Sequence, residues 1–472
     1  MNAEKMAQRD TSNRHATHAW NPRLFVTRHL SPERIFILSF AGAILTGAFL
    51  LWLPFSADKA PIPWVDALFT SASAVCVTGL STITVGEDLG LAGQVILICL
   101  FQIGGLGILT FSAVFFAMLG HGLASKERDI MQSAFLYAPR RDLARILKFV
   151  FLSTFLYEGA GALLLWARFS RDFPWNEALF KAVFHAISAF NNAGFSLFSD
   201  NLVSYQGDPI VNLTVMGLIV AGGIGFIVHY ELHMRFFGQQ RRVSVHTKVV
   251  LVATAVLITG GAVLFFVFEN DRILKGLPWQ NQVLASLFQS ITPRTAGFNT
   301  VDIGRLTNET ILMMILMMFV GASPGSTGGG VKTTSAGILF LLMWSRLRGR
   351  EDVHVFNRTI PRELLNRTLS IILISTLWIF LVVSILLLTA PNGGGPTESR
   401  HLFVEYLFET VSAFGTVGLS MNLTPDLSPV QKLALVFMMF AGRVGPLTLA
   451  FSLARSTLKH SFTYAEEGVM VG

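Results

Sequence analysis

Charged residues and cysteines are both scarce in this chain of 472 residues. Asp, Glu, Lys and Arg make up 14% of the sequence, and the two cysteines are Cys76 and Cys99. Two thiols in apolar surroundings are too few for a disulfide framework or a metal cluster, which argues against redox chemistry. Hydrophobic residues, by contrast, account for 52% of the chain, and 40 residues are phenylalanine. This composition predicts a protein that lies in a lipid bilayer.

Long apolar runs support that prediction. Segments 35–53, 91–119 and 371–390 approach or exceed the roughly 20 residues that a helix needs to cross a hydrocarbon core of about 30 Å. The first run follows a polar, basic stretch that ends near Arg34. It is too long for the apolar core of a signal peptide, and no small-residue cleavage pattern follows it. We therefore interpret it as the first membrane helix.

The apolar segments come in pairs, and each pair encloses a shorter, half-apolar segment and a glycine-containing turn. This arrangement occurs four times, which predicts an all-α membrane protein built from four repeats of helix, pore helix and helix. The predicted repeats are residues 34–120, 143–237, 247–347 and 363–457. An amino-terminal extension (1–33) and a carboxy-terminal tail (458–472) would both be cytoplasmic.

The net charge of +7 and the pI of about 9.6 could also suit a nucleic-acid-binding protein. The distribution of charge decides between the two explanations. If the amino terminus is inside, the inner segments carry 24 Lys and Arg, the outer segments nine and the membrane interior three. This bias follows the positive-inside rule, so it indicates topology and no nucleic-acid site.

The short segment of each repeat is too short to span a bilayer. In three repeats it starts near a Pro-Trp pair, namely Pro63-Trp64, Pro174-Trp175 and Pro278-Trp279. Proline suits the first turn of a helix, and tryptophan suits the membrane interface. Each short segment is therefore predicted to be a re-entrant half-helix.

Each half-helix is followed by the same five-residue pattern, called here the filter motif: two residues, Gly, then Leu or Phe, then Ser or Asn. The four glycines are separated by 115, 103 and 121 residues. Four matched loops are what one chain needs to surround a single axis. The residues predicted to form a filter are Val77, Thr78, Gly79, Asn192, Ala193, Gly194, Thr295, Ala296, Gly297, Thr416, Val417 and Gly418.

The chemistry of these motifs favours a cation. Irregular backbone at membrane depth is tolerated where it lines a watery cavity, and its carbonyls can replace a cation's hydration shell. Glycine is expected where the backbone takes a positive φ so that consecutive carbonyls face the axis. No motif contains a charged side chain, and calcium or magnesium normally draws carboxylates. The pattern therefore predicts a pore for a weakly hydrated monovalent ion, and potassium fits best.

The extended segments 74–81, 188–195, 291–299 and 412–420 resemble the filters of the KtrB/TrkH/HKT superfamily of potassium transporters. A single membrane helix precedes the first filter, so the KtrB type is the nearer resemblance. The resemblance implies a pseudo-fourfold pore within one subunit, a homodimer, and a cytoplasmic KtrA- or TrkA-like nucleotide-binding ring that controls opening. Glycine at all four positions resembles the potassium-selective members. The resemblance leaves sodium promotion, and hence symport, open.

The second helix of repeat 3 is interrupted by five glycines and a proline within residues 321–330. A phosphate-binding loop is excluded because Val331 stands where lysine is required. Two interpretations remain, a structural kink and a flexible intramembrane loop that blocks the pore below the filter. The resemblance favours the second. The predicted gate residues are Gly321, Gly325, Gly328, Gly329, Gly330, Lys332 and Arg443.

Three cations are predicted to lie at membrane depth, where an isolated charge is expensive. The resemblance implies that Arg443 forms an electrostatic barrier beneath the filter, and the alternative is an ion pair with Glu158 or Glu409. Lys332 has the same two interpretations, with snorkelling to the inner surface as a third. Arg294 is expected to brace the third filter loop by hydrogen bonds.

The alternative functions are a secondary transporter working by alternating access and a membrane-embedded enzyme. The former typically has inverted repeats or intramembrane acids, whereas these repeats run parallel and their filter motifs are uncharged. A nucleophile and base pair, or a metal constellation, would be needed for the latter, and we find neither. His229 and His233 could be mistaken for a metal pair, but interfacial polar residues are routine there. The sequence therefore predicts a potassium uptake pore in a bacterial inner membrane, with no cofactor bound by this chain.

Overall fold

The structure is a computed structural model, and it describes residues 32–107, 143–238, 242–390 and 396–453. The predicted amino-terminal extension up to residue 31, the end of repeat 1 (108–120) and the carboxy-terminal tail (458–472) lie outside the described residues. Within those ranges the chain is almost entirely helical, with one two-stranded hairpin of His354–Val355 and Arg358–Thr359.

Each repeat begins with a long helix that is followed by a shorter one. The long helices are α1 Pro32–Trp52, α4 Leu143–Phe169, α8 Val245–Glu269 and α12 Arg362–Leu388. These four are long and apolar enough to cross a membrane. The half-helices are α2 Trp64–Cys76, α5 Trp175–Phe190, α9 Trp279–Ile291 and α13 Pro396–Gly415. In the first three, proline is the N-cap and tryptophan the first helical residue, so proline lies one position earlier than we predicted.

The second spanning segments are shorter or broken. They are α3 Leu91–Leu106; α6 Pro209–Ile224 with α7 Phe226–Phe236; α10 Asn308–Phe319 with α11 Thr333–Leu347; and α14 Pro429–Val444 with α15 Pro446–Leu453. Short helical turns occupy Pro54–Ser56, Val85–Asp88, Val203–Tyr205, Ile303–Arg305 and Thr424–Asp426.

Proline and a polar cap start two of these second segments. The Asp208 side chain accepts hydrogen bonds from the backbone N–H groups of Ile210 and Val211, and Pro209 follows as the first helical residue. Ser428 forms a capping box with Gln431 ahead of α14. Both arrangements satisfy backbone donors that a helix start leaves unpaired.

Glycines break three of these segments at matching places. Gly107, Gly225 and Gly445 have φ of 82°, 102° and 96°, a conformation that other residues rarely adopt. The axes of α6 and α7 differ by 97° across Gly225. Each of these three glycines therefore ends a helix.

The pattern of burial differs from that of a soluble protein in two respects. The long helices are 22–33% buried over their most apolar stretches, so most of their leucines and phenylalanines face outward. The half-helices carry fully buried serines and threonines, among them Ser71, Ser73, Ser188 and Ser412. Apolar side chains thus cover the outer surface as well as filling the core, and hydroxyl groups are buried at the centre.

Candidate functional site

The four filter motifs meet in a ring at the centre of the helices. A Cβ added to Gly79 would lie 2.6 Å from the carbonyl oxygen of Ala193, and one on Gly194 would lie 2.8 Å from that of Ala296. A Cβ on Gly297 would lie 2.5 Å from the Val417 carbonyl, and one on Gly418 would overlap the Thr78 carbonyl. Each loop therefore contacts the next in chain order, and the fourth closes on the first.

Every filter motif has the same backbone shape. Its glycine has a positive φ, with values of 96°, 70°, 76° and 91° in chain order, which confirms the prediction made for these glycines. The first residue of each motif, Val77, Asn192, Thr295 or Thr416, also has a positive φ, of 58°, 58°, 76° and 51°. The residue between them does not. An alternation of this kind is what allows successive carbonyls to face the same side of a loop.

The first-position residues store strain. Valine and threonine are branched at Cβ, and holding such a residue at positive φ costs about 1–3 kcal/mol. Burial and hydrogen bonds offset this cost, since Val77 and Thr416 are fully buried. A positive φ at Val77 or Thr416 could not be predicted from these residue types.

A serine or threonine near the end of each half-helix forms a hydrogen bond with the backbone of the filter loop that follows. The backbone N–H of Gly79 donates to Ser73 Oγ over 3.0 Å, and that of Gly418 donates to Ser412 Oγ over 3.1 Å. Ser188 and Thr292 donate instead to the carbonyls of Phe195 and Phe298, over 2.8 and 2.5 Å. We did not predict these four anchors. Their signal was present, because a hydroxyl recurs four residues before the first filter residue, or three in repeat 3.

A second set of braces lies one to two turns earlier in the half-helices. His185 Nε2 lies 3.0 Å from Ser196 Oγ, and Gln289 Nε2 lies 3.5 Å from Thr300 Oγ1. In repeat 4 the buried Glu409 accepts hydrogen bonds from Ser420 and, over 3.0 Å, from Thr424 Oγ1. The matching residue of repeat 1 is Thr70, whose hydroxyl has no partner among the described residues. The four filter loops thus share one backbone conformation but differ in the side chains that support them.

The interrupted segment of repeat 3 forms a loop, residues 320–332, called here the intramembrane loop. It lies against the end of the ring formed by the first motif residues. The Gly329 N–H donates to Thr416 Oγ1 over 2.9 Å, and a Cβ on Gly328 would overlap Thr295 Oγ1. The loop closes on itself because the Gly321 N–H donates to the Val331 carbonyl over 2.8 Å.

Backbone hydrogen bonds attach the intramembrane loop to two neighbouring repeats. The N–H groups of Ser323 and Thr327 donate to the carbonyls of Gly223 and Gly222, over 3.1 and 3.3 Å. The Gly330 N–H donates to the Gly442 carbonyl over 3.2 Å. These accepting carbonyls stand at the ends of α6 and α14, where a helix leaves carbonyls without helical partners.

Arg443 extends this attachment to repeat 1. Its guanidinium donates to the carbonyls of Thr327 and Gly104, and it donates to that of Gly105 over 3.2 Å. Gly104 and Gly105 lie in the last turn of α3, where the helix dipole is negative and a cation is favoured. No carboxylate among the described residues forms an ion pair with Arg443, so the alternative of a pair with Glu158 or Glu409 is wrong.

The other two interior cations also bind neutral oxygens. Lys332 Nζ donates to the Gly328 carbonyl over 2.7 Å, which links the end of the intramembrane loop to its run of glycines. Arg294 donates to Thr254 Oγ1 of α8 over 3.2 Å. Glu158, a suggested partner of Arg443, instead accepts hydrogen bonds from Asn191 and Gln102, over 3.0 and 3.3 Å.

Glycines of the second segments allow this close assembly. A Cβ on Gly104, Gly222 or Gly442 would overlap the carbonyl of Val75, Phe190 or Phe414, at the end of the adjacent half-helix. These glycines therefore permit close approach between each second segment and the neighbouring half-helix.

Among the described residues, no group of three or more His, Cys, Asp or Glu side chains is placed to hold a metal ion. His229 Nε2 lies 2.6 Å from the Ala221 carbonyl, and His233 packs on Phe149.

Comparison with known proteins gives consistent matches. The chain is 39% identical to the Ktr system potassium uptake protein B of Bacillus subtilis, over 94% of this chain and 97% of the relative. It is also 39% identical to the protein of that name from Vibrio alginolyticus, over 93% and 94% of the two chains. The potassium/sodium uptake protein NtpJ of Enterococcus hirae is 34% identical, over 95% and 98%.

A solved structure shares the fold. The crystal structure of the potassium transporter TrkH from Vibrio parahaemolyticus matches with a TM-score of 0.69 at 19% identity, over 95% of this chain and 88% of that one. A family model described as "TrkH: Cation transport protein" matches residues 25–461, a range that includes all four filter loops, the intramembrane loop and Arg443. The chain is therefore a multi-pass membrane transporter, not an enzyme, and it belongs to the TrkH family of cation transport proteins.

Proposed function

We propose that this chain is the pore-forming subunit of a potassium uptake system and that the ring of filter motifs is its selectivity filter. The observation that carries the proposal is the ring itself: four loops contact one another in cyclic order, each with a glycine at positive φ. The filter residues would be the three leading residues of each motif, as predicted above. Backbone carbonyls in motifs that contain no charged side chain suit a weakly hydrated monovalent ion.

The gate in this proposal is the intramembrane loop together with Arg443. The loop abuts Thr295 and Thr416, the first residues of two filter motifs, and Arg443 lies beside it. A guanidinium close to an ion path repels a cation, and the loop occupies space below the ring. Conduction would then require the loop to leave its partners on α6 and α14. Lys332 would hold the loop in its compact form.

The remaining parts of the proposal concern arrangement and partners. The four repeats, with the bounds predicted above, would surround one pseudo-fourfold axis in a bacterial inner membrane, with both termini in the cytoplasm as the distribution of Lys and Arg indicates. Two relatives are named as members of a Ktr system, which supports a separate regulatory subunit. We infer a homodimer that works with a cytoplasmic nucleotide-binding ring, so that any nucleotide binds the partner.

The test is ion flux into liposomes that contain the purified protein. Rubidium or potassium uptake should follow the potassium gradient, and unlabelled potassium should compete better than sodium or lithium. Sodium is included because one relative is named a potassium/sodium uptake protein, so sodium that accelerates potassium uptake would indicate promotion. The proposal fails if no monovalent cation flux appears even with a regulatory ring added, or if flux is saturable and proceeds in fixed ratio with protons.

A further inference from the structure

A cavity of about 570 Å³ opens between the inner ends of α11 and α12. One wall is apolar and is formed by Leu342, Leu365 and Leu369, and the opposite edge carries Arg346, Arg362 and Asn366. Glu351 completes the lining. The cavity thus has an apolar side that continues along the spanning helices and a cationic edge at one end.

The segment that joins the two helices holds this cavity in shape. Val353 is 1% exposed and packs with Ile338 of α11 and Leu365 of α12 in a small buried cluster. Ser345 Oγ donates to the Asp352 carbonyl over 2.8 Å, and the Ile360 N–H donates to the Val353 carbonyl over 2.9 Å. The two arginines are therefore carried on helix ends whose separation is fixed by packing.

The charge around the cavity is positive. Residues 346–367 contain six arginines and three acidic residues. Arg362 Nη2 lies 3.8 Å from Glu351 and 3.9 Å from Asp352, and its side chain is 75% exposed. These separations are longer than hydrogen bonds, so the guanidinium retains donors for another anion. Arginine is well suited to phosphate because its fork of N–H groups can bind two oxygens at once.

The surroundings of the cavity have the character of a membrane boundary. The Arg348 guanidinium lies 4.6 Å from the centre of the Trp344 ring, and Trp344 is half exposed, as is common for interfacial anchors. Leu373 lies one turn beyond Leu369 on α12 and is 69% exposed, which extends the apolar side of the cavity along that helix.

We propose that this cavity binds an anionic phospholipid, with the phosphate between Arg346 and Arg362 and an acyl chain along the leucine wall. The inference rests on the proposed orientation, in which this end of α11 faces the cytoplasm. Basic pockets between spanning helices at that surface are suited to anionic headgroups. The 15-residue helix α11 begins directly after the intramembrane loop, so the lipid would contact the helix that carries the proposed gate.

The test compares lipid binding to the purified full chain by native mass spectrometry, with phosphatidylglycerol and phosphatidylcholine of the same acyl chains as probes. The wild-type protein should prefer phosphatidylglycerol by at least tenfold, and Arg346→Gln with Arg362→Gln should abolish the preference. The matched control is Arg350→Gln with Arg367→Gln, which removes the same charge from the same segment without touching the cavity lining. It should keep the preference. Because binding is measured directly, failure of this inference is distinct from failure of the transport proposal.

Five outcomes would overturn the inference. Equal binding of the two lipids by the wild-type protein would show that the cavity has no preference for an anionic lipid. An equal loss of the preference in the control variant would show that it arises from the overall positive charge of the segment and not from the cavity. Displacement of phosphatidylglycerol by glycerol phosphate at the same concentration would assign the site to free phosphate. A change of oligomeric state in the cavity variant with unchanged lipid binding would make the cavity a protein interface. If the double variant fails to fold, Arg346→Lys and Arg346→Gln are compared instead, and equal binding by the two would refute a site that requires the charge.

Discussion

Gly418→Ser changes one wall of the filter at its tightest contact. Gly418 has a φ of 91°, where a residue with a Cβ is disfavoured by about 1–2 kcal/mol. The added Cβ would also overlap the Thr78 carbonyl oxygen and lie 2.9 Å from Gly79 Cα. The fourth filter loop cannot move to accommodate the side chain without displacing the first filter loop. We therefore expect the substitution to move a carbonyl of the ring and to weaken the discrimination of potassium from sodium.

A rearrangement that shifts the relative free energy of the two ions by about 1.4 kcal/mol changes their permeability ratio tenfold, and we expect a loss of at least that size. The assay is competition between potassium and sodium for rubidium uptake in liposomes. Gly276→Ser is the control, because Gly276 has a φ of 83° and no heavy atom within 4 Å of an added Cβ. Unchanged selectivity in Gly418→Ser, or an equal loss in Gly276→Ser, would refute the reasoning.

Two further substitutions and one deletion test the proposed gate and the side chains that support the filter loops. Arg443→Gln removes charge-assisted hydrogen bonds worth about 1.5–3 kcal/mol each, so rubidium uptake without a regulatory subunit should rise about tenfold or more, and uptake at the wild-type rate would contradict the prediction. Shortening residues 325–330 by deleting Gly328, Gly329 and Gly330 should raise the same flux, whereas a fall or no change counts against the gate. Glu409→Ala leaves buried donors unpaired at about 1–3 kcal/mol each and should lower the thermal unfolding temperature more than Glu409→Gln does; equal losses would argue against a bracing role.

The ring could be predicted from the sequence because its signal is repetition. Four glycines at matched places indicate four loops around one axis, even though a single glycine of this kind would indicate nothing. The positive φ at Val77 and Thr416 could not be predicted, since local propensity opposes it and the surrounding packing imposes it. Local preference fails here because tertiary contacts override it.

The interior cations illustrate a second limit. The sequence predicts that Arg443 needs a partner at membrane depth, and an acid is the obvious choice. The observed partners are carbonyls at the end of α3 and in the intramembrane loop. Such acceptors exist because α3 ends at Leu106, and residue type does not reveal where a helix leaves its carbonyls unpaired. A sequence search for oppositely charged side chains therefore does not find partners that are backbone carbonyls.

The dissimilar braces behind the four walls have a consequence for how such a pore can vary. In a channel assembled from four identical subunits, any substitution near the axis is made four times at once. Here Thr70, His185, Gln289 and Glu409 stand at matched places, so a substitution at one of them is made behind one filter loop and not behind all four. Under the proposed function, the support of each loop can therefore change separately from the supports of the other three.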